Sequence, residues 1–185
     1  MSGSISRLGE IMGDPGRPPL DVPWSGAVER FGVGLPSDYR ELVDRYGPVR
    51  FFGDLVVVTP SFDPGEPSGQ RFDDMHSFNQ DLGEMLEQWY TWYPEVGRPY
   101  EPFPTPGGLL GWGNNTSADY FCWHMAGPDP DRWPVVVWHY GGDEMSRFDG
   151  GMAEFLAAVL DGDFPDAEEL IDQTLNPELW QSTLD

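Results

Sequence analysis

Three segments of strand-like composition lie between residues 108 and 150, and they limit the possible folds of this chain more than any other feature. They read GLLGWGNNTSADYFCWHM, WPVVVWHY and EMSRFDG, and they are rich in aromatic and β-branched residues. Gly, Pro, Asn and Asp separate them, and the polar run at residues 114–117 divides the first segment in two. Short runs bounded by turn residues are typical of antiparallel strands. The sequence therefore predicts an antiparallel sheet in which residues 108–125 form a β-hairpin.

Helical patterns surround these strands. Four stretches carry apolar residues at the spacing i, i+3, i+4, i+7 of an amphipathic helix. A further stretch, VRFFGDLVVVTP, has the composition of two short strands around a turn at Gly53-Asp54. This order predicts a single α+β domain, with an antiparallel sheet of about five to six short strands packed against helices. The four stripes are Trp24, Ala27, Val28 and Phe31; Tyr39, Leu42, Val43 and Tyr46; Met75, Phe78, Leu82, Met85, Leu86, Trp89 and Tyr93; and Met152, Phe155, Leu156 and Val159.

The two ends of the chain give weaker patterns. Residues 1–23 are rich in Gly and Pro without periodicity, so they are predicted to form a flexible N-terminal arm. The domain is predicted to span residues 24–185 and to end in a short helix at NPELWQ, because Asn favours the N-cap and Pro the first turn. No apolar run is long enough to cross a membrane, and the N-terminus does not read as a secretory signal. The single cysteine also fits a reducing compartment, so a cytoplasmic location is expected.

Acidic charge dominates the composition. The 185 residues include 10 basic residues, all of them Arg, against 32 acidic ones, for a net charge of −22. Such a surface repels nucleic acid and anionic membranes, and it attracts cationic proteins. The alternative is that the charge serves only solubility or adaptation to salt, since net charge determines association rather than fold.

Two kinds of chemistry are conceivable within residues 108–125. Gly111-Trp112-Gly113 resembles a phosphate-binding loop, but such a loop opens into a helix and usually has a nearby Lys, and this chain has none. Cys122 and His124 lie two apart on a strand, about 6.5–7 Å from each other on one face, which is too far for a nucleophile and its base. Both interpretations are therefore disfavoured against a hairpin without catalytic residues. In that hairpin, Phe121 and Trp123 are predicted to face the core, with Cys122 and His124 on the opposite face.

A metal site is also disfavoured. His76, His124 and His139 are candidate ligands from different elements, but no H-x-x-x-H, C-x-x-C or H-E-x-x-H spacing occurs. Neither a metal nor a cofactor is predicted. An unrecognised hydrolase that uses some of the many carboxylates stays open as a third kind of function.

The motifs, taken in order, resemble the SUKH superfamily, whose founding member is the yeast cell-wall synthesis regulator. The resemblance covers roughly residues 24–162 and departs at Gly47-Pro48, where the family often has a second Gly. The matching residues are Leu35, Pro36, Asp38, Tyr39, Tyr46 and Gly47; Gly108, Leu109, Leu110, Trp112, Gly113 and Trp123; Asp129, Pro130, Trp133, Pro134 and Val135; and Glu154, Phe155 and Leu156.

This resemblance implies a protein-binding domain without catalytic residues. Bacterial members are mostly immunity proteins that bind and neutralise toxins, commonly nucleases, so an immunity protein with a cationic toxin as partner is predicted. The alternative is a housekeeping regulatory module of the same fold. Acidic residues on a helix face and in turns are the candidate contacts, and neither nucleic acid nor a membrane is an expected partner. These candidates are Asp73, Asp74, Glu84 and Glu87 in one group, and Asp129, Asp131, Asp143 and Glu144 in the other.

Overall fold

The computed structural model describes residues 3–142, 144–165, 167–182 and 184. Its helices and strands alternate in blocks, as the patterns of the sequence predict. The helices in this part of the chain are α1 (Gly3–Met12), α2 (Ser25–Phe31), α3 (Ser37–Tyr46), α4 (Asp73–Trp92), α5 (Met152–Leu160) and α6 (Ala167–Leu170). The strands are β1 (Val49–Phe51), β2 (Leu55–Val57), β3 (Leu109–Asn114), β4 (Asp119–His124), β5 (Val135–His139), β6 (Met145–Phe148) and β7 (Trp180–Ser182).

The strands form one antiparallel sheet in the order β6-β5-β4-β3-β2-β1-β7. The predicted α+β fold is confirmed, and residues 108–125 are the β3–β4 hairpin, with Leu110 opposite Trp123. The sheet has seven strands, against the five to six expected from the sequence. The additional strand is β7, which pairs with β1 at the edge of the sheet.

One face of the sheet carries the larger core. Phe121 and Trp123 belong to it, as predicted, and α1, α3 and α5 cover it. Tyr39 of α3 packs edge-on against Trp123 at 5.1 Å between ring centroids. Aromatic pairs in this geometry add about 0.5–1.5 kcal/mol beyond the area they bury.

The opposite face carries a second core under α4. Cys122 lies in this core, and Trp89 of α4 packs against Trp138 of β5 at 5.6 Å. The strands in the middle of the sheet are therefore buried on both faces, which explains the run of apolar residues in β5. The outer side of α4 is consequently a surface of the molecule.

Gly111 is the point at which α4 meets the sheet. A Cβ atom there would lie 2.6 Å from Leu82 and 2.8 Å from Phe78, so any larger residue would displace these side chains. The buried amide of Asn79 fills the gap: its Oδ1 accepts from the N–H of Gly111, and its Nδ2 donates to the carbonyl of Gly111 at 3.0 Å. Within the Gly-Trp-Gly motif, Gly111 therefore serves packing between a helix and a strand.

The prediction of a flexible arm over residues 1–23 is wrong for its first half. Residues 3–12 form α1, and Ile5, Leu8 and Met12 are buried in the larger core. The sequence pattern is short and lies among Gly and Ser, which have weak helical propensity. Packing of its apolar side chains against α5 overrides that propensity.

The prediction of a terminal helix at NPELWQ is also wrong. Trp180 pairs with Phe51 in the ladder between β7 and β1, and its indole N–H donates to the carbonyl of Met12 at 2.9 Å. The local capping pattern is outweighed by a sheet edge whose backbone groups need partners. A helix does follow α5, but it is α6, which the sequence patterns do not predict.

Candidate protein-binding surface

The outer side of α4 carries a row of acidic side chains that are unpaired among the described residues. Asp74, Asp81 and Glu84 are exposed there, and we name these three residues the acidic stripe. At 3.6 residues per turn they lie within about 80° of one another around the helix axis, along roughly 15 Å of its length. Within the described part of the chain, none of the three forms an ion pair or a side-chain hydrogen bond.

Asp73 and Glu87, the other two predicted contacts on this helix, are engaged in ion pairs. Asp73 lies 2.8 Å from the guanidinium of Arg30. Arg98 donates to Glu87 at 2.9 Å and also binds Glu101. The hydrogen bond from Arg98 lowers the pKa of Glu87. These two carboxylates flank the acidic stripe, but their charge is partly compensated within the molecule.

An exposed aromatic pair ends this surface. Trp92 is 56% exposed and Tyr93 is 38% exposed, although both are large apolar side chains. Trp92 follows Asp74 by about five helical turns, so it lies on the same line of the helix as the acidic stripe. Trp and Tyr are enriched among the residues that dominate binding energy at protein interfaces. The sequence patterns did not identify Trp92 as a surface residue. Its spacing of 18 residues from Asp74, about five helical turns, would have placed it on the same side of the helix.

The second predicted group of acidic residues is divided between two places in the structure. Asp129 and Glu144 are exposed, and Asp143 lies outside the described residues. Asp131 accepts a hydrogen bond from the backbone N–H of Ser37 at 2.6 Å, so it caps the start of α3. Asp131 therefore lies with α3, on the sheet face opposite to α4. Glu144 follows Gly142, whose carbonyl accepts from the indole N–H of Trp89 of α4 at 3.1 Å, so its turn lies against α4.

A second carboxylate continues this capping chain. Asp38, in the first turn of α3, accepts from the N–H of Ala153 at 2.9 Å and so caps α5. Gly151 permits the approach, because a Cβ there would lie 2.7 Å from the Asp38 carboxylate. Burial raises the pKa of Asp38. Asp38 and Asp131 thus join α3, α5 and the turn after β4, which is a structural role.

The structure also brings together Asp119, His139 and Ser146, which the sequence patterns did not connect. Asp119 lies 3.3 Å from Nδ1 of His139, and Nε2 of His139 lies 3.2 Å from the hydroxyl of Ser146. This order of groups resembles a serine nucleophile with its base. Acyl transfer also needs N–H donors at the developing oxyanion, and Ser146 lies within the ladder between β6 and β5. We therefore assign the contacts of His139 with Asp119 and Ser146 a structural role, because they link β4, β5 and β6.

His124 and Cys122 do not form a catalytic pair. Arg147 donates to Nδ1 of His124 at 3.2 Å, and burial, followed by the charge of Arg147, lowers the pKa of His124. Cys122 is fully buried, and this burial raises the pKa of its thiol. Among the described residues, no group of three or more His, Cys, Asp or Glu side chains is arranged to hold a metal ion.

His139 is expected to stabilise the fold at low pH. The hydrogen bond with Asp119 raises the pKa of His139 above its ordinary value of 6.5. This contribution is fully present below the pKa of the unfolded chain and is lost as pH rises through the folded-state pKa. In denaturant titrations, the stability advantage of the wild type over His139→Gln should therefore shrink from acidic to alkaline pH.

His124→Gln provides the matched control with the opposite sign. Because the pKa of His124 is lowered in the folded state, its contribution is lost as pH falls. The advantage of the wild type over this variant should grow with pH. Parallel pH profiles for the two variants would contradict the assignment of the Asp119–His139 pair.

The architecture places this chain among α+β domains whose central sheet is covered by helices on both faces and which present an acidic outer helix. The model of a SUKH family, described as SMI1-KNR4 cell-wall, matches residues 25–156. This match covers more than half of the chain, and the chain belongs to the SUKH superfamily. Members of this superfamily are in general not enzymes. Comparison with curated proteins and with solved structures finds no match.

Among the described residues, no helix is both long enough and apolar enough to cross a membrane.

Proposed function

We propose that this protein is an immunity protein that neutralises a cationic bacterial toxin in the cytoplasm by covering its substrate-binding surface with the outer side of α4. Two findings support the proposal. The chain belongs to a superfamily in which immunity proteins are common. Its net charge of −22 also favours a partner of opposite sign.

The proposed inhibition follows from the electrostatics of nucleases. An enzyme that cuts nucleic acid holds the phosphate backbone with a cationic surface. An acidic protein is steered onto that surface and excludes the substrate by occupying it. This kind of inhibition requires no catalysis by the immunity protein. It requires only that the immunity protein binds the toxin quickly and dissociates slowly.

The acidic stripe is the observation that carries the proposal. Asp74, Asp81 and Glu84 have no ion-pair partner in the described part of the chain, so their charge is available to another molecule. Exposed charges of this kind mainly raise the association rate. Trp92 supplies the complementary contribution, because burial of a large aromatic side chain slows dissociation.

Reversing the acidic stripe is expected to abolish neutralisation. We expect the gene immediately upstream to encode a cationic toxin. Co-expression of the wild-type protein with this toxin should restore the growth of the host cells. In the triple variant Asp74→Lys, Asp81→Lys and Glu84→Lys, the association rate constant at low salt should fall by about 10- to 100-fold, and rescue should be lost. The wild-type rate should itself fall toward physiological salt, where charges are screened over about 8 Å.

A charge-matched variant separates this effect from a general loss of charge. Glu10, Glu168 and Glu169 are exposed on α1 and α6, which lie away from α4. The triple change of these residues to Lys alters the net charge equally and should retain rescue. Equal loss in both variants, or retained rescue with the reversed stripe, contradicts the proposed surface. Unchanged melting temperatures confirm that both variants fold.

A housekeeping regulatory module is the second candidate, favoured by the description of the matched family as SMI1-KNR4 cell-wall. Under that function the partner is a protein of the same cell rather than a toxin. Deletion of the gene distinguishes the two. An immunity protein becomes dispensable once the toxin gene is also deleted, whereas loss of a regulatory module has the same effect on growth in both backgrounds.

A further inference from the structure

An apolar cavity lies at the end of the sheet where β4 finishes. Its volume is about 620 Å³, and it opens between α2, the connector before β3 and the loop after β4. This volume falls within the range of about 300–1,000 Å³ that is typical of binding sites. Among the described residues that line it, His124 is the one ionisable side chain. Its walls include Phe31, Phe103, Pro106, Met125, Pro128 and Trp133.

The polar side chains in these walls, those of Trp133 and His124, already have partners. The indole N–H of Trp133 donates to the carbonyl of Gly127 at 2.7 Å. The ring of His124 accepts from Arg147 and also bonds to the backbone of Gly107. An apolar guest therefore removes no hydrogen bond, whereas a charged guest loses water without finding a free counter-charge.

The walls are also held in place. Phe31, His76 and Phe103 form a triangle of rings with centroids 5.7–6.0 Å apart. Pro104 and Pro106, in the connector, have fixed φ angles. A preformed cavity of this kind needs little ordering when it binds.

An exposed carboxylate borders the cavity. Asp129 directly follows Pro128 of the cavity wall, and among the described residues its side chain accepts a hydrogen bond from Asp131 within the same turn. At the other wall Phe31 contacts His76 of α4, whereas Asp74 lies about 160° away from His76 around the helix axis. A cationic partner attracted by the net charge of −22 would therefore meet Asp129 at the mouth of the cavity.

We propose that this cavity is an anchor site that takes an apolar side chain of the cationic protein partner, flanked in that partner by basic residues. The inference rests on the proposed function and adds the chemical class of residue that is recognised. Asp129 and the net negative charge of the molecule select the basic flanks, and the apolar walls select the side chain between them. Because it requires an apolar side chain next to basic residues, the cavity selects a protein ligand over a nucleic acid or a free cation.

Synthetic peptides test the anchor site without the partner. The probe is acetyl-Gly-Arg-Gly-Leu-Gly-Arg-Gly-amide, and its binding is followed by chemical shifts of the backbone amides at His124, Met125 and Gly127. Replacing its Leu by Ala should weaken binding by about tenfold, because an apolar side chain loses its buried area. Replacing both Arg by Glu should weaken it further. Equal binding of the Leu and Ala peptides, or no binding of any peptide, overturns the proposal.

Filling the cavity provides the test on the protein. Ala126→Trp should weaken binding of the Leu peptide by about tenfold or more, and Val33→Arg should do so by placing a cation in the wall. Ser25→Trp adds the same bulk at an exposed site outside the lining and should bind as the wild type does. Unchanged peptide binding in both folded cavity variants overturns the proposal. Dimerisation of the wild type that Ala126→Trp abolishes would show that a second copy occupies the cavity, which also overturns it.

The adjacent-gene toxin separates this inference from the proposed function. If Ala126→Trp neutralises the toxin as well as the wild type does, while the reversed acidic stripe fails, the anchor site is wrong and the function stands. If the wild type itself neutralises no toxin, the proposed function is wrong, and with it the assignment of the anchor to a toxin.

Discussion

Replacing Trp123 by alanine should lower the free energy of unfolding by about 3–5 kcal/mol, the range for large aromatic residues removed from a core. Trp123 is completely buried, packs against Tyr39 at 5.1 Å, and lies 6.1 Å from the ring of Trp112. The cavity left behind cannot collapse easily, because strands on either side hold its walls. Denaturant melts at neutral pH measure this loss.

Trp123→Phe is the control for this experiment. The indole N–H of Trp123 is buried without a hydrogen-bond partner in the described structure, so its removal leaves no acceptor unsatisfied. Phe leaves a smaller void than Ala does, so the loss of stability should be clearly smaller than that of Trp123→Ala. A loss below about 1 kcal/mol for Trp123→Ala would instead show that this side chain is not part of a tightly packed core.

The double variant Ile5→Ala and Leu8→Ala should destabilise the protein by at least about 4 kcal/mol, from about 2 kcal/mol or more at each site. Both side chains are buried between α1 and the helices on the larger core. This amount is a large share of the stability of a typical domain, which is about 5–15 kcal/mol. Thermal and denaturant unfolding are the measurements.

Glu10→Ala tests whether the loss comes from burial. Glu10 is exposed on the same helix, and alanine favours helix formation. This variant should remain within about 0.5 kcal/mol of the wild type. If the double variant matches Glu10→Ala instead, α1 is detached in solution, as the composition of residues 1–23 predicts.

The sheet and four of the helices could be predicted because their signals are local. Alternating residues such as Phe121 and Cys122 report on their own faces, and the stripe in α3 reports on its own helix. The two wrong assignments at the chain ends arise where distant contacts decide the structure. Met12 and Trp180 meet only in the folded molecule, where the indole of one donates to the carbonyl of the other.

The candidate surface shows the same limit. The helical pattern predicts that Glu84 points to water, but it contains no information that Arg98 binds Glu87 from another segment. Likewise, Asp131 looks like any exposed turn residue until its contact with Ser37 is seen. Composition and periodicity identify which residues are acidic and exposed, whereas the availability of each charge depends on neighbours that are remote in sequence.

The pair of hydrogen bonds between Asn79 and Gly111 has a further consequence for recognition. A helix held to a sheet by apolar contacts alone can turn by small amounts about its long axis, but Asn79 engages both backbone groups of Gly111. These two directional hydrogen bonds fix the rotation of α4 about its axis. The charges on the outer side of α4 are therefore already oriented when a partner binds, so α4 loses little conformational entropy on binding. Adaptation to a new partner can therefore proceed by exchanging side chains on the outer side of a helix that keeps its orientation.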